Sequence, residues 1–224
     1  MPRLIDLSHT LEDGMITYTG LPAPIMCDFL SREASRGHYA PGVEFHIGKI
    51  EMVANTGTYL DSPFHRYADG NDLSQLDLAT LAELDGVVAR FTGKQERAIT
   101  SADLRAALGG ADLNGKAVLV DTGWSKHWRT DQYFAGHPFL TADAAELLVA
   151  AGAALVGIDS LNIDDIDDGQ RPVHSTLLAA NVLIVEHMTG LQTLPMTGFR
   201  FSAVPVKVKG MGSFPVRAYA SLPD

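Results

Sequence analysis

The chain has little of several features that mark other classes of protein. It has one cysteine, Cys27, among 224 residues, so it cannot form an intramolecular disulfide, which fits a reducing cytoplasm. No apolar run approaches the roughly 20 residues that span a bilayer. Asp6, Glu12 and Asp13 lie near the start with no long apolar core beside them. We therefore expect no secretory signal and a cytoplasmic location.

Basic residues are also scarce. The 17 Lys and Arg residues face 27 Asp and Glu residues, which gives a formal net charge of -10. Nucleic acids and anionic membranes both select a basic face, so neither is expected as a partner, whereas a small-molecule substrate is compatible with this charge. A Gly-x-Ser-x-Gly elbow, a Walker loop and a Gly-x-Gly-x-x-Gly run are all absent. Serine-hydrolase, nucleotide and dinucleotide chemistry therefore lack support.

The residues that are present fit an α/β protein. A chain of this length with 46% apolar residues can bury a full core, and it has no internal repeat, low-complexity tract or linker. We predict a single domain over residues 1–224, with strands and helices alternating in its middle. The predicted strands are 117–120, 155–158 and 182–185, ending at Asp121, Asp159 and Glu186, and the predicted helices are 99–108, 141–151 and 174–180.

The C-terminal part of the chain alternates apolar and other residues. Phe199, Phe201 and Ala203 are followed by valines up to residue 208. This pattern predicts a long strand with a kink near Pro205, closed by a further strand at 216–220.

The most informative run reads Asn-Thr-Gly-Thr-Tyr-Leu-Asp-Ser-Pro-Phe-His over residues 55–65, directly after an apolar stretch. Such a strand end is where α/β proteins place their chemistry. The run resembles the motif His-x-Gly-x-His-x-Asp-x-Pro-x-His of the cyclase family, which includes bacterial kynurenine formamidase and isatin hydrolase. Gly57, Asp61, Pro63 and His65 match that motif. The resemblance implies a single-domain cyclase-like fold of the α/β class, the swivelling β/β/α type with a mixed β-sheet.

The same resemblance implies a metal site. In the family a distant histidine and glutamate join the motif aspartate, and here His174 and Glu186 have the matching spacing. By that match Asp61, His174 and Glu186 hold one divalent metal ion, zinc or manganese, for which carboxylate and imidazole ligands are chemically reasonable. Each residue also has a plain alternative: a turn cap for the aspartate, a helix cap for the histidine and a strand-end carboxylate for the glutamate.

Two positions depart from the family motif. Asn55 and Tyr59 stand where the family has its first two histidines, which hold a second metal with the shared aspartate. Asparagine is a poor ligand and tyrosine binds well only as a phenolate, so we expect one metal ion per chain. Asn55 and Tyr59 are either packing residues of a relic site or substrate-binding residues, and the sequence favours neither interpretation.

His65 is the expected catalytic residue, in the role of a proton relay, with a partly exposed loop histidine as the alternative. Trp124 follows the predicted strand end at Asp121. It is either part of an aromatic wall for a flat substrate or an anchor that holds a loop on the core.

The expected activity is that of a metal-dependent hydrolase of a small aromatic or cyclic amide, similar to kynurenine formamidase. Two other functions stay open: a degenerate member that binds a small molecule without hydrolysing it, and a ring-opening enzyme or lyase on the same scaffold. Because members of the family are oligomers, the resemblance also implies a homo-oligomer, a dimer or a tetramer.

Overall fold

The computed structural model describes residues 2–223 and contains thirteen strands and four α-helices within that range. The strands are β1 (Arg3–Asp6), β2 (Ile25–Leu30), β3 (Ile47–Glu51), β4 (Tyr59–Asp61), β5 (Leu84–Arg90), β6 (Ala98–Ile99), β7 (Ala117–Asp121), β8 (Phe139–Leu140), β9 (Leu155–Ile158), β10 (Leu183–Glu186), β11 (Phe199–Ser202), β12 (Ser213–Pro215) and β13 (Tyr219–Leu222). The α-helices are α1 (Arg32–Ser35), α2 (Ser101–Leu108), α3 (Ala142–Ala150) and α4 (Pro172–Ala179). Short 3-10 helices cover Pro63–His65, Leu78–Thr80, Trp124–His127, Asp131–Phe134 and Leu191–Thr193.

Nine of these strands form one sheet in the order β1-β13-β11-β5-β7-β9-β10-β4-β12. The four central strands, β5, β7, β9 and β10, are parallel, and the outer pairings are antiparallel. The helices α2, α3 and α4 lie in the connections between the parallel strands. This is the mixed α/β fold that the resemblance implies.

The central strands are buried on both faces. Successive residues of a strand point to opposite faces, so Val118 and Val120 of β7 pack in the cluster that contains the helices, while Leu119 packs in the other. The second cluster is completed by side chains of the antiparallel strands, such as Phe201 and Ala220. Burial on both faces explains why these strands read as continuous apolar runs.

The predicted elements in the middle of the chain are confirmed to within about two residues at their ends. Helix α2 begins with a capping box, in which Thr100 Oγ1 accepts from the backbone N–H of Asp103 and a carboxylate oxygen of Asp103 accepts from that of Thr100. It ends at Gly109, whose φ of +60° favours glycine. Local sequence signals therefore place these helices correctly.

The prediction of a long kinked strand near the C-terminus is wrong. β11 ends at Ser202, and residues 203–212 contain no strand. Pro205 cannot donate to a sheet ladder, and its neighbours Val204 and Val206 are exposed. The chain re-enters the sheet only at β12, which pairs with the outer edge of β4. The alternating apolar residues of 204–208 therefore belong to an irregular segment and not to a strand.

Strands β2 and β3 pair with each other in a separate two-stranded sheet. Every residue of β3 is exposed, and the apolar side chains of Ile25, Phe29, Ile47 and Ile50 project into solvent, with Phe29 74% exposed. We call β2 and β3 the hairpin arm. Within residues 2–223 no helix is long and apolar enough to cross a membrane.

Candidate metal centre

The strands β12, β4 and β10 bring polar side chains to one face of the sheet. β4 pairs antiparallel with β10 so that Tyr59 lies opposite Glu186, and β12 pairs with β4 so that Ser213 lies opposite Asp61. Directly opposed residues point to the same face, as do residues two apart in one strand. All four side chains therefore face the helical layer, because Ile184, which lies opposite Asp61 in β10, packs in that layer's cluster.

Helix α4 brings His174 to the same place. Asp164 holds the start of this helix, since its two carboxylate oxygens accept from the backbone N–H groups of Val173 and His174 at 2.6 and 3.0 Å. Asp164 Oδ2 also lies 2.6 Å from Nδ1 of His174. Because a carboxylate only accepts, Nδ1 carries the proton and Nε2 is directed to the strands.

The atoms that meet there form a donor set for a cation. His174 Nε2 lies 3.6 Å from Oδ2 of Asp61 and 3.7 Å from Oε1 of Glu186. Asp61 Oδ2 is buried and has no hydrogen-bond partner among residues 2–223. A buried carboxylate oxygen without a partner is costly, and a cation would satisfy it. Carboxylate oxygens and an imidazole nitrogen suit zinc and manganese, so the residues present fit a divalent metal.

His65 lies beside this set. Asp61, His65 and His174 offer ligand atoms that all lie within 4.8 Å of one another. His65 Nδ1 is 2.9 Å from Oγ of Ser213, which donates its proton to Oδ1 of Asp61. Since the serine has only one proton, Nδ1 of His65 donates to Ser213, and Nε2 is the basic nitrogen.

Close backbone packing holds His65 in position. Gly212, the residue before β12, accepts a backbone hydrogen bond of 2.7 Å from Ser62. A Cβ atom at residue 212 would lie 2.4 Å from the backbone nitrogen of His65. Only glycine permits this approach, which places the 3-10 helix Pro63–His65 against the sheet.

Asn55 and Tyr59 donate hydrogen bonds to the two carboxylates of the site. Asn55 Nδ2 donates to Oδ1 of Asp61 at 3.4 Å, and the Tyr59 hydroxyl donates to Oε2 of Glu186 at 2.6 Å. Burial and the charges of Glu186 and Asp61 raise the pKa of Tyr59 well above 10. The phenol is therefore neutral at neutral pH, which makes it a donor and a poor ligand.

The charges of the site stabilise one another. Burial lowers the pKa of His174, but Glu186, Asp164 and Asp61 outweigh burial and raise it to about 10. Burial raises the pKa of Asp61, but His65 and His174 outweigh it and lower that pKa below its usual value. Burial raises the pKa of Glu186, an effect that His174 opposes. Without metal, a protonated His174 therefore balances the carboxylates.

A cavity of about 450 Å³ opens onto these groups. It is lined by Tyr18, Thr19, Gly20, Leu21, Asn55, Tyr59, His65, Arg66, Asn162, Arg171, His174 and Glu186. Of the site residues that the sequence predicts, Asn55, Tyr59, His65, His174 and Glu186 line this cavity, and Asp61 lies buried behind them.

Trp124 is placed elsewhere. Its indole N–H donates to the carbonyl of Tyr133 at 3.0 Å, and it is not among the described residues that line the cavity. This contact favours the loop-anchor interpretation over the aromatic wall. The aromatic surfaces in the cavity come from Tyr18 and Tyr59 instead.

Sequence reasoning missed Asp164, Ser213 and Arg171. Asp164 lies in an acidic loop, where its neighbours have the same residue type. Ser213 reaches Asp61 by strand pairing across 152 positions. Only Asp164 carried a usable signal, because it precedes a Pro-initiated helix whose N-terminal N–H groups require an acceptor.

The chain combines a layered α/β fold with a candidate cation site beside a cavity, and its sequence identifies the family. Residues 5–165 match the family model Cyclase, described as "Putative cyclase". This match covers more than half of the chain, which therefore belongs to the cyclase family.

Individual relatives agree with this assignment. The chain is 26% identical over 221 residues to a protein from Bacillus anthracis named kynurenine formamidase, a match that covers 96% of each chain. Its fold is similar to that of isatin hydrolase A from Labrenzia aggregata, with a TM-score of 0.83, 22% identity and coverage of 100% of this chain and 94% of the other. It is also similar to a structure described as a potential metal-dependent hydrolase with cyclase activity, with a TM-score of 0.80, 24% identity and full coverage of both chains.

Proposed function

We propose that this chain is a metal-dependent hydrolase of small aromatic or cyclic amides, with a reaction similar to that of kynurenine formamidase. One divalent ion, zinc or manganese, is held by Asp61, His174 and Glu186. The observation that carries the proposal is the buried, unpartnered Oδ2 of Asp61, 3.6 Å from Nε2 of His174. The name of the Bacillus anthracis relative and the description of the metal-dependent hydrolase structure support the same reaction class.

The protein side chains prepare the site in distinct ways. A divalent ion bound there supplies Lewis acidity, which activates water and polarises an amide carbonyl. Asp164 fixes the ring of His174 so that Nε2 faces the carboxylates of Asp61 and Glu186, with which it would hold the ion; this is the usual task of a carboxylate behind a ligating histidine. Tyr59 and Asn55 hold the carboxylates of Glu186 and Asp61 in place without adding charge.

His65 moves the proton in this proposal. It lines the cavity, its side chain is 35% exposed, and Nε2 has no hydrogen bond among residues 2–223. A basic nitrogen in that position accepts a proton from water and returns it to the leaving amine. Ser213 and Asp61 orient the ring from the opposite nitrogen.

A second candidate is a degenerate member that binds a small molecule without hydrolysing it. The observation that favours it is the replacement of two motif histidines by Asn55 and Tyr59. A ring-opening or lyase reaction on the same scaffold is the third, since a fold does not fix a reaction.

Metal analysis combined with a substrate panel tests these functions. Protein purified without chelator should contain about one zinc or manganese per chain and hydrolyse formanilides faster than isatin or lactones. Asp61→Asn should lose metal and activity together, while Asp69→Asn, an exposed acid outside the site, serves as the control. Metal-free protein that hydrolyses no amide would favour the binding function, and preferred turnover of isatin or lactones would favour ring opening.

We also propose that the single domain assembles as a homo-oligomer through the hairpin arm. Its exposed apolar side chains lie on both faces of a two-stranded sheet, with Ile25 and Ile47 on one face and Ile50 on the other. This is more exposed apolar surface than scattered single residues explain. Light scattering should give a dimeric or tetrameric mass, which Phe29→Ser with Ile50→Ser lowers. A monomeric wild-type mass would contradict this proposal.

A further inference from the structure

Arg171 is placed in the cavity by an uncommon backbone conformation. It directly precedes helix α4, where its φ of +51° and ψ of +55° lie in the left-handed region that a non-glycine residue rarely adopts. The following Pro172 has a fixed φ and begins the helix. This geometry directs the side chain into the cavity that also contains His174 and Glu186. A strained residue at a cavity wall points to a function for its side chain.

The guanidinium of Arg171 is oriented by neutral groups only. Nη1 donates to Oδ1 of Asn162 at 2.6 Å, and Nη2 donates to the hydroxyl of Tyr18 at 3.3 Å. No carboxylate lies within ion-pair distance of it among residues 2–223. Six of the other ten arginines have such a partner among the described residues: Arg36, Arg90, Arg97, Arg129, Arg200 and Arg217.

The nearby carboxylates of Glu186 and Asp164 attract Arg171 electrostatically, but their direct contacts are with other groups. Glu186 accepts from Tyr59 and from the backbone N–H of Ile163, and Asp164 is paired with His174. Arg66 is a second arginine at the cavity and donates to Oγ of Ser175 at 3.2 Å. In a chain with a net charge of -10, the cavity wall thus presents two cationic groups without carboxylate partners.

We infer that Arg171 is a specificity-determining residue that binds a carboxylate on the substrate, so that the preferred substrates are aryl amides bearing a negative charge. This inference rests on the proposed function. The planar guanidinium matches a carboxylate in bidentate geometry. Tyr18 and Leu21 supply aromatic and apolar surface for the ring, and His174 and Glu186 of the proposed metal site line the same cavity, which is large enough for a single-ring substrate.

A matched pair of substrates tests the inference: N-formylanthranilate and its methyl ester, which differ in charge and little in size. Wild-type protein should prefer the acid by kcat/KM. Arg171→Gln should raise KM for the acid at least about tenfold, as expected for losing a hydrogen bond to a charged group, with a much smaller change for the ester and the same metal content. Arg217→Gln removes an equal charge from an exposed ion pair with Asp6 and is the control. It should leave KM for the acid and KM for the ester unchanged.

A binding measurement separates this inference from the proposed function. Calorimetry with anthranilate and methyl anthranilate needs no turnover, so a preference for the anion that Arg171→Gln abolishes supports the inference even if no amide is hydrolysed. Equal affinity of wild-type protein for both compounds overturns it, even if formanilides are cleaved. If Arg171→Gln still prefers anthranilate to its methyl ester, the inference is also overturned, and the metal is then the group that binds the carboxylate. If that variant does not fold, Arg171→Lys should reduce the preference without reversing it, and an unchanged preference counts against the inference.

Discussion

The hydroxyl of Tyr59 donates a 2.6 Å hydrogen bond to Oε2 of Glu186 between directly opposed residues of β4 and β10. In the family motif this position is a histidine that holds a metal. The phenol instead acts as a fixed neutral donor to a carboxylate of the remaining site, as Asn55 does for Asp61. The two departures from the motif thus place neutral hydrogen-bond donors beside the carboxylates of the proposed metal site.

This arrangement predicts one tightly bound metal ion per chain. Asn55→His together with Tyr59→His should raise the number to two, because the loop before β4 already directs residue 55 at Asp61 and β4 directs residue 59 at Glu186. Elemental analysis after dialysis measures the ratio, and each single variant serves as a control that should stay at one. Two ions in the wild-type protein, or a well-folded double variant that still binds one, would contradict the prediction.

Tyr59→Phe should destabilise the metal-free protein by about 1–3 kcal/mol, because it leaves a buried carboxylate oxygen without its donor. Urea unfolding in the presence of a chelator measures this. Tyr67→Phe is the matched control, since it removes a hydroxyl that donates only to the backbone carbonyl of Ser175 at a half-buried position. Equal effects of the two variants would mean that the bond to Glu186 adds nothing special to stability.

His65→Gln separates two roles of this histidine. As a proton relay, His65 contributes about 10²–10⁴-fold to the rate, so the variant should lose kcat while it keeps its metal. His65 also lies within the group of potential ligands formed with Asp61 and His174. Elemental analysis beside the kinetics decides between the roles, because joint loss of metal and activity would make His65 a ligand.

Much of this fold follows from local sequence signals. The N-cap positions at Thr100 and Thr141 and the apolar runs of the parallel strands are local features, and the structure has these elements close to their predicted bounds. Of the two threonines, only Thr100 makes a side-chain cap hydrogen bond at the start of its helix. The prediction of a long C-terminal strand was wrong, because alternation of apolar residues alone does not reveal whether a segment pairs with a neighbouring strand. Val204 and Val206 alternate correctly, yet both are exposed.

The residues of the candidate site also differ in whether the sequence alone could predict them. Asp61 and His65 come from one contiguous motif, and His174 and Glu186 come from their spacing, so the sequence could nominate all four. Ser213 could not be nominated, because it meets Asp61 only through the pairing of β12 with β4. Arg171 and Asn162 likewise meet through the fold of a loop that shows no periodicity.

Asp164→Asn should weaken metal binding by about 10–100-fold, the usual effect of losing the carboxylate behind a ligating histidine. An amide can present its oxygen to Nδ1 of His174, but it carries no charge and stabilises the ring less. Competition with a chelator of known affinity measures the change. Asp167→Asn, an exposed acid three residues further along the loop, is the control. Similar affinities for both variants would remove Asp164 from the site.

Asp159 provides a test of stability away from the metal. Its Oδ1 accepts from the backbone N–H and the hydroxyl of Thr122, at 2.8 and 2.6 Å, while Oδ2 is buried without a partner among the described residues. Burial raises the pKa of Asp159 from 3.8 to about 6. Because the folded state binds this proton more tightly than the unfolded state, the contribution to stability is present below pH 3.8 and is lost as the pH rises through 6.

Asp159→Asn removes this titration. The free energy of unfolding of the variant, relative to wild type, should therefore rise by about 2–3 kcal/mol between about pH 4 and pH 8. Urea unfolding at several pH values, with chelator present throughout, measures the difference, and the titration of all other groups cancels in it. Asp143→Asn is the control, because side-chain and backbone hydrogen bonds lower the pKa of that exposed carboxyl to about 2. The free energy of unfolding of this variant, relative to wild type, should therefore barely change over the same pH range. If the free energy of unfolding of Asp159→Asn relative to wild type is equally independent of pH, Asp159 ionises in the folded protein at its ordinary pKa.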